Sequence, residues 1–245
     1  MPFPEIVNWT FPGVGFPQAS EFETLALDVP VKSGLLGAYF TSSYTADPLY
    51  NYANPAKPLV KKGNPLVEGP YAVCNAQNCF DTGIPSQNEM SVISIALRSD
   101  NSSAVGQGMV ISNYDGVGGD SLRLTDTSVV ANAWVTAGLT NAITPIVNIP
   151  NTDFVIGTGQ FNPGRSVSGF YDPTAKNIVS NSSLGAGRQV QSNTLLIGGH
   201  RGAGQFTGWA HVSVVLVFNR LLTVDEYKAI CLYLRFTFGP QFLIW

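Results

Sequence analysis

Two Gly-rich segments of the chain hold polar and aromatic side chains that could bind a small molecule. His200 and Arg201 lie in one segment, and a neutral imidazole beside a guanidinium could bind a carboxylate or a sugar. Tyr114 lies in the other, and an aromatic ring among polar neighbours is typical of a sugar contact. These three residues are therefore the predicted glycan-binding set. A turn with a solvated arginine also explains residues 200–201, and packing between loops also explains the tyrosine.

Three other tyrosines are weaker candidates for the same role. Tyr44, Tyr50 and Tyr52 lie in a long segment rich in Pro and Asn, where an exposed ring could contact a sugar. The alternative is that each ring packs between loops.

The segment around Tyr114 also contains a cluster of oxygen-bearing side chains. Asn113, Asp115 and Asp120 lie close together in the chain, between glycines. Hard cations such as Ca²⁺ bind carboxylate and amide oxygens, so these three residues are the predicted metal site. Asn, Asp and Gly are also the ordinary residues of turns, and a plain turn is the alternative. We expect no cofactor, and Ca²⁺ at these three residues is the alternative that the sequence leaves open.

The carboxylates of the chain give catalysis little support. A retaining glycosidase needs two carboxylates about 5 Å apart, and Glu21 and Glu23 have suitable alternation but lie in a proline-rich segment. Asp225 and Glu226 open a predicted helix, where acidic side chains stabilise the helix dipole. No serine lies in a Gly-x-Ser-x-Gly motif at a strand-to-helix turn. We therefore predict a protein that is not an enzyme and has no catalytic residues.

Short apolar stretches between turn residues indicate that β-strands position these side chains. Residues 90–98 are apolar on both faces, as in a central strand, and turn residues such as those at 162–164 separate the stretches. The predicted strands are residues 35–40, 59–60, 90–98, 108–112, 121–125, 133–137, 153–157, 166–171, 176–179 and 193–197. Their spacing favours an all-β sandwich.

Residues 208–235 predict a long strand, a corner and a short helix. Alternation along the strand should give one dry face and one mixed face. The expected dry face comprises Val212, Val214, Leu216 and Phe218. Thr223 and Glu226 have the spacing of a capping box, which starts a helix. The apolar stripe of that helix comprises Val224, Tyr227, Ile230, Cys231 and Leu234.

Three passages of the chain carry a family resemblance. Residues 79–85 followed by 90–95 form a Thr-Gly turn leading into a long core strand, and residues 195–199 form a Leu-x-Ile-Gly strand. Residues 206–227 contain a closing strand and an Asn-Arg-x-Leu-Thr-x-x-Glu corner. In these features residues 34–238 resemble a laminin-G-like, concanavalin A-type jelly roll. The resemblance implies a sandwich of two antiparallel sheets with one short C-terminal helix.

This resemblance implies a choice among several functions, because the fold does not determine function. The family includes glycan-binding modules, protein-binding modules, virion proteins and some glycosidases, and it often holds Ca²⁺. The Glu-x-Asp-x-x-Glu pattern of its glycosidases is absent from the chain. The sequence most resembles laminin-G-like proteins of tailed-phage particles, and we predict a structural virion protein (capsid decoration, fibre or tail-associated). The alternatives are a lectin-like carbohydrate-binding module and a polysaccharide depolymerase.

Two apolar segments flank the predicted sandwich. Residues 1–33 are rich in proline and aromatic residues, and residues 239–245 form an apolar tail. Either segment could pack on its own domain, or it could dock on a neighbouring subunit, since apolar patches mark interfaces. We predict docking, with copies of the chain and other virion proteins as partners and host glycan as a further one. The predicted interface residues are Phe3, Trp9, Phe11, Phe16, Phe242 and Trp245.

Composition argues against two further classes of partner. Charged residues make up 12% of the 245 residues, the net charge is −3, and the basic residues are scattered, so we expect no nucleic-acid partner. No run of about 18 apolar residues is present, so we expect no membrane insertion. The first residues lack the pattern of a signal peptide, which predicts synthesis in the host cytoplasm and localisation in the virion.

The cysteines and the second histidine favour structural roles. Cys231 lies on the apolar helix stripe and should be a core residue. Cys74 and Cys79 are close enough in the chain to close a disulfide, but a reduced pair is the expectation without an export signal. His211 begins the closing strand and should be structural.

Overall fold

The described residues fold into two antiparallel β-sheets and one C-terminal helix. The computed structural model describes residues 28–43, 45–98 and 106–242. Their strands are β1 (Leu35–Phe40), β2 (Val60–Lys62), β3 (Leu66–Glu68), β4 (Tyr71–Cys74), β5 (Cys79–Pro85), β6 (Met90–Leu97), β7 (Ile111–Ser112), β8 (Ser121–Leu124), β9 (Ser128–Val135), β10 (Gly138–Pro145), β11 (Phe154–Asn162), β12 (Arg165–Asp172), β13 (Asn177–Leu184), β14 (Thr194–Ile197) and β15 (Ala210–Phe218). The helix is α1 (Val224–Phe242).

Each sheet draws its strands from distant parts of the chain. The first sheet has the order β13-β12-β11-β6-β15-β4-β3, with β1 also paired to β15. The second sheet has the order β10-β9-β8-β7-β14-β5-β2. Every strand pair is antiparallel, and consecutive strands often lie in different sheets, as in a jelly roll. The predicted fold class, a jelly-roll sandwich with one C-terminal helix, is confirmed.

A continuous hydrophobic core fills the space between the two sheets. The first sheet contributes large side chains such as Val92 and Phe161, and the second contributes Phe80 and Leu122, all almost fully buried. Because side chains alternate along a strand, the intervening residues of each strand point to the outer face of its sheet. The elements that cover each outer face therefore decide whether its side chains are buried or accessible to a ligand.

The closing strand β15 differs from its predicted alternation. A register shift separates Val212 from Val214 in the pairing with β6, so an irregularity of the β-bulge kind resets the alternation there. Val212 consequently joins Val215 and Val217 in the core between the sheets, whereas Val214 packs beneath the helix. The prediction that one face of β15 is mixed was wrong. Both faces are buried, because α1 covers the outer face of the sheet and Val215 and Val217, on the other face, are fully buried within the sandwich.

Helix α1 seals the outer face of the first sheet with a second hydrophobic core. Its buried residues Tyr227, Ile230, Cys231 and Leu234 pack on strands that include β6 and β15, which confirms the predicted stripe and the core position of Cys231. Val224, which we placed on that stripe, is mostly exposed. The helix runs beyond residue 235, into the predicted tail. None of the described helices combines the length and apolarity that a membrane crossing requires.

The helix starts at the predicted capping box. Thr223 N donates to Glu226 Oε2 at 2.9 Å, and Glu226 N donates to Thr223 Oγ1 at 3.2 Å. Arg220 also donates to both carboxylate oxygens of Glu226, at 2.9 and 2.6 Å. The structural interpretation of Glu226 is therefore confirmed, since its carboxylate is engaged by the cap and by the corner arginine.

The remaining structural predictions have mixed outcomes. His211 packs edge-on against Tyr71, with ring centroids 5.1 Å apart, in the structural role expected for it. Cys74 and Cys79 are buried free thiols on either side of a turn. Burial raises the pKa of the Cys79 thiol to about 11. Glu21 and Glu23 lie outside the described residues.

Candidate functional site

The outer face of the second sheet is polar where β8, β9 and β10 meet. Leu122 of β8 and Ala131 of β9 point into the core, so their neighbours Ser121, Arg123 and Asn132 point to the outer face. The described helix packs on the other sheet. Loops cover this face instead, and they leave room for a cavity.

Three polar side chains form a row across the adjacent strands. Ser121 lies opposite Asn132, and Asn132 lies opposite Asn141. Ser121 Oγ donates to Asn132 Oδ1 at 3.2 Å, and Asn132 Nδ2 donates to Asn141 Oδ1. Arg123 Nε donates to the same Asn132 oxygen at 3.3 Å. The amide of Asn132 is therefore held in one orientation and presents a fixed pattern of polar atoms.

The first wall of the cavity is the loop of residues 113–120, which side-chain oxygens shape from within. Asp115 Oδ1 accepts hydrogen bonds from Val117 N and Gly118 N, each at 2.9 Å. These backbone donors lower the pKa of the Asp115 carboxyl. Asn113 Oδ1 accepts a hydrogen bond from Asp120 N at 2.7 Å. Such turns give the loop a defined shape without a hydrophobic core of its own.

A buried ion pair anchors this first loop. Arg188 Nε and Nη2 donate to the two carboxylate oxygens of Asp120 at 2.9 and 2.7 Å, and both side chains are only 1% exposed. Ser86 Oγ donates to Asp120 Oδ2 at 2.6 Å, and Arg188 Nη1 donates to the carbonyls of Gln87 and Asn88. The pair is thus nearly saturated with hydrogen bonds, as a buried ion pair must be.

The second wall is the loop of residues 198–209, which holds Phe206 in an unusual backbone conformation. Phe206 has φ = 50°, in the left-handed region, which costs a non-glycine residue about 1–2 kcal/mol. His200 Nε2 donates to Phe206 O at 3.0 Å. Burial lowers the pKa of His200, which favours the neutral imidazole as the donor. This contact helps hold the strained residue in place.

The two loops touch each other at residues 114–116 and 201–202. Arg201 N donates to Tyr114 O at 2.7 Å. A Cβ atom on Gly202 would lie only 2.8 Å from Gly116 N and from Tyr114 Cε1, so the absence of a side chain at this position permits the contact.

Aromatic rings surround the cavity on the loop side. The Tyr114 and Phe206 rings lie 6.1 Å apart at 85°, and the His200 ring lies 5.9 Å from Tyr114. The Arg123 guanidinium lies 5.0 Å from the centroid of the Phe206 ring, in a cation–π arrangement. Trp134 on β9 completes the set from the sheet side.

The resulting cavity has a volume of about 320 Å³ and combines these rings with neutral polar groups. Its lining comprises Met109, Tyr114, Gly116, Gly119, Ser121, Asn132, Trp134, Leu139, Gln205 and Phe206. An apolar pocket with a few fixed polar groups is the usual form of a small-molecule site. Amides, a hydroxyl and ring faces suit a ligand with several hydroxyl groups and an apolar face.

The structure brings the three predicted glycan-binding residues together but gives them different positions. Tyr114 lines the cavity. His200 lies behind the lining, against the Tyr114 and Phe206 rings. Arg201 turns toward Asp81, to which Nη2 donates at 3.0 Å. The three residues therefore lie in the two loops beside one cavity, and only Tyr114 faces it. Their role in glycan binding stays a prediction.

The other predicted residues do not meet at this cavity. Tyr50 and Tyr52 pack edge-on against each other, with ring centroids 4.8 Å apart, and Tyr52 also packs on Phe40 near the helix. Tyr44 lies outside the described residues. So do the predicted interface residues Phe3, Trp9, Phe11, Phe16 and Trp245 and the side chain of Phe242.

The predicted Ca²⁺ ligands are engaged by protein groups. Both carboxylate oxygens of Asp120 accept bonds from Arg188, and the oxygens of Asn113 and Asp115 accept bonds from backbone or amide groups. Within residues 28–43, 45–98 and 106–242, no group of three or more His, Cys, Asp and Glu side chains could hold a metal ion. The Ca²⁺ site stays a prediction.

A second, larger groove of about 550 Å³ lies beside the edge strand β2. Its lining includes Lys57, Lys62 and Asp81, and none of its lining residues is aromatic. It lacks the ring faces and the fixed amide row of the first cavity, so the first cavity is the better candidate site.

Comparison with solved structures shows the fold. The binding domain of Paraclostridial Mosquitocidal Protein 1 matches with a TM-score of 0.58 and 13% identity, over 85% of this chain and 53% of that one. The receptor-binding domain of botulinum neurotoxin D matches with a TM-score of 0.56 and 10% identity, over 82% of this chain and 53% of that one. The chain therefore spans about half the length of these toxin domains.

A third structure is matched over nearly its whole length. It is domain 4 of AbnA, a GH43 extracellular arabinanase from Geobacillus stearothermophilus, in complex with arabinotriose. The TM-score is 0.56 with 13% identity, over 81% of this chain and 98% of that one. No family model and no curated protein matches the chain. At these identities the likeness shows the fold alone, which is a jelly-roll β-sandwich shared with binding domains.

Proposed function

We propose that the chain is a carbohydrate-binding β-sandwich whose ligand occupies the cavity between the loops of residues 113–120 and 198–209. One observation carries this proposal: Tyr114, Trp134 and Phe206 line the same cavity as the fixed amide of Asn132. Hydroxyl groups of a sugar can bond the amides, and its C–H face can pack on a ring. The ring faces supply apolar contact area, and the fixed amide supplies specificity.

The matched structures support a binding role of this kind. Two of them are named as binding or receptor-binding domains, and the third was solved with arabinotriose. The cavity lining contains no carboxylate, so the depolymerase alternative lacks the acidic pair that glycoside hydrolysis requires at this site.

The proposal can be tested with a glycan array and two matched tryptophan variants. Trp134 lines the cavity, whereas Trp209 is 54% exposed and lies outside its lining. We expect the full chain to bind a subset of glycans, Trp134→Ala to weaken binding at least about tenfold, and Trp209→Ala to bind like the parent chain. A tenfold loss corresponds to about 1.4 kcal/mol.

Two results would count against the carbohydrate proposal. The first is an array on which the folded chain binds no glycan, either with added Ca²⁺ or with a chelator. The second is equal loss of binding in both tryptophan variants. Circular dichroism of each variant checks that the fold is kept. The comparison of Ca²⁺ with chelator also tests the predicted Ca²⁺ site.

We also infer a structural role in a tailed-phage virion, on the strength of the sequence resemblance and the aromatic content of residues 1–33. In that setting the cavity would contact host glycan, while the flanking segments would bind copies of the chain or other virion proteins. Light scattering of the full chain tests this role. We expect an oligomer, and a stable monomer would contradict assembly through these segments.

A further inference from the structure

The chemistry of the cavity lining narrows the class of sugar that it can bind. None of its ten lining residues is Asp, Glu, Lys, Arg or His. The polar side-chain groups of the lining are the hydroxyls of Ser121 and Tyr114, the amides of Asn132 and Gln205 and the indole N–H of Trp134, and all of them are neutral. A carboxylate or an amine bound here would lose its hydration without an opposite charge to replace it.

The nearest cation is not presented to the ligand. Arg123 donates to Gln107 Oε1 and to Asn132 Oδ1, and the Phe206 ring covers the guanidinium at 5.0 Å. These contacts occupy Nε, Nη1 and one face of the guanidinium, so an acidic sugar would compete with them for this cation.

A carboxylate in the first wall also disfavours an anionic ligand. Asp115 lies in the first wall beside Tyr114 and Gly116, two lining residues. Its two backbone donors keep it ionised, since they lower the pKa of its carboxyl. A negative charge in this wall repels a carboxylate or sulfate, and salt screens that repulsion incompletely within a Debye length of about 10 Å.

The size and shape of the cavity limit how much of a glycan can enter. About 320 Å³ lies near the lower limit of small-molecule sites, which are roughly 300–1,000 Å³. The contact of Arg201 with Tyr114 and the close approach of Gly202 to Gly116 join the two loops into one continuous wall. A chain end can enter a cavity of this volume, whereas the middle of a long polymer would have to fold into it.

We propose that the cavity binds the uncharged terminal one or two residues of a glycan, with an apolar sugar face on Trp134 and hydroxyl groups on the Asn132 row. This inference rests on the carbohydrate function proposed above. It adds two restrictions, which are absence of charge on the bound residue and recognition of a chain end.

Matched pairs of small glycosides test the absence of charge. Saturation-transfer NMR and competition would compare methyl glucoside with methyl glucuronide, and methyl galactoside with methyl galacturonide. We expect the neutral member of at least one pair to bind about tenfold more tightly than its acidic partner. We also expect its affinity to change less than twofold between 20 and 500 mM NaCl, because screening acts only on charges. Equal or tighter binding of the acidic members would overturn the proposal.

Recognition of a chain end is tested with arabinotriose and a long arabinan, and with other neutral oligosaccharides paired with their polymers. We expect similar affinities per chain end for each short and long ligand. Binding that rises with the number of internal residues would overturn end recognition. If the array and these glycosides all show no binding, the carbohydrate function itself fails. If sugars bind without the expected preferences, only the ligand class fails.

The tryptophan variants connect this preference to the cavity. The preferred neutral glycoside should lose at least about tenfold in affinity in Trp134→Ala and keep it in Trp209→Ala. Loss in the second variant alone would place the neutral-sugar site elsewhere and overturn the assignment to this cavity.

Discussion

The outer faces of the two sheets are covered in opposite ways. On the first sheet, α1 lays buried apolar side chains such as Ile230 and Leu234 over β6 and β15 and leaves a second hydrophobic core. On the second sheet, two loops cover β8, β9 and β10, and a cavity with polar and aromatic walls remains. The same sandwich therefore has a sealed face on the first sheet and, on the second sheet, an open face that is available to a ligand.

This difference shows which interactions keep each face in place. Burial of apolar side chains stabilises the sealed face. This interaction is non-directional, and it tolerates substitutions that conserve side-chain volume. The open face depends on directional contacts, such as the Asp120–Arg188 pair and the His200–Phe206 bond. Such contacts hold loops rigid without filling the space between them, and this is what a preformed binding cavity requires.

The largest expected effect comes from breaking the ion pair that anchors the first loop. Arg188→Ala leaves the Asp120 carboxylate buried without its partner, and breaking a buried pair in this way costs about 3–5 kcal/mol. We expect that loss in the free energy of unfolding measured by urea denaturation. We also expect weaker glycan binding, because Gly119 and Tyr114 of the same loop line the cavity.

An exposed arginine provides the control for this variant. Arg165 is exposed at the start of β12, and Arg165→Ala should change stability by less than about 0.5 kcal/mol. A loss below about 1 kcal/mol for Arg188→Ala would show that the open face does not depend on this pair.

The next largest effect should come from the sealed face. Leu234→Ala removes a fully buried side chain on the sheet-facing side of α1 and should cost about 3 kcal/mol, within the range for buried leucines. The glycan affinity of the folded variant should equal that of the parent chain, because the site lies on the other sheet. If Leu234→Ala weakened binding as much as Arg188→Ala does, the two faces would not be independent.

The sealed face could be predicted from the sequence because its signals are local. The capping box of Thr223 and Glu226 and the helical spacing of Tyr227 and Leu234 lie within a few turns of chain. The bulge at Val212 could not be predicted, since it arises from the pairing of β15 with β6, which are far apart in sequence. The further length of α1 follows from tertiary packing, because Phe238 packs on Phe40 at 4.8 Å.

The cavity was harder to predict because it joins three distant passages of chain. Loop composition predicts a ligand contact at Tyr114, whereas the strand pattern predicts Trp134 only as part of a strand at residues 133–137. That strand is β9, which ends at Val135. The hairpin to β10 was missed because its turn, residues 136–137, lacks an Asn-Gly or Asp-Gly signature. The alternation of Asn132 and Trp134 with core alanines is the signal that could have revealed the outer face.

The smallest expected effect concerns the helix cap on the sealed face. Hydrogen bonds from Arg220 and Thr223 lower the pKa of Glu226 to about 2, from an ordinary value of 4.5. Because the folded pKa is the lower one, this stabilisation is complete above about pH 4.5 and is lost as the pH falls toward 2. Glu226→Gln should therefore cost at most about 1 kcal/mol at pH 7, since the pair is at the surface.

The pH dependence of that variant separates the two faces. The difference in stability between Glu226→Gln and the parent chain should shrink between pH 4.5 and 2, and Asp225→Asn, which removes the neighbouring exposed carboxylate, should show a smaller change.

His200, on the open face, responds at higher pH. Its pKa is lowered by burial, so its contribution is present above about 6.5 and is lost on acidification below that value. Glycan binding should consequently weaken on acidification below pH 6.5, whereas the Glu226 contribution falls only below about pH 4.5. If glycan binding and the stabilisation by Glu226 were lost over the same pH range, the sealed face and the open face would not be independent.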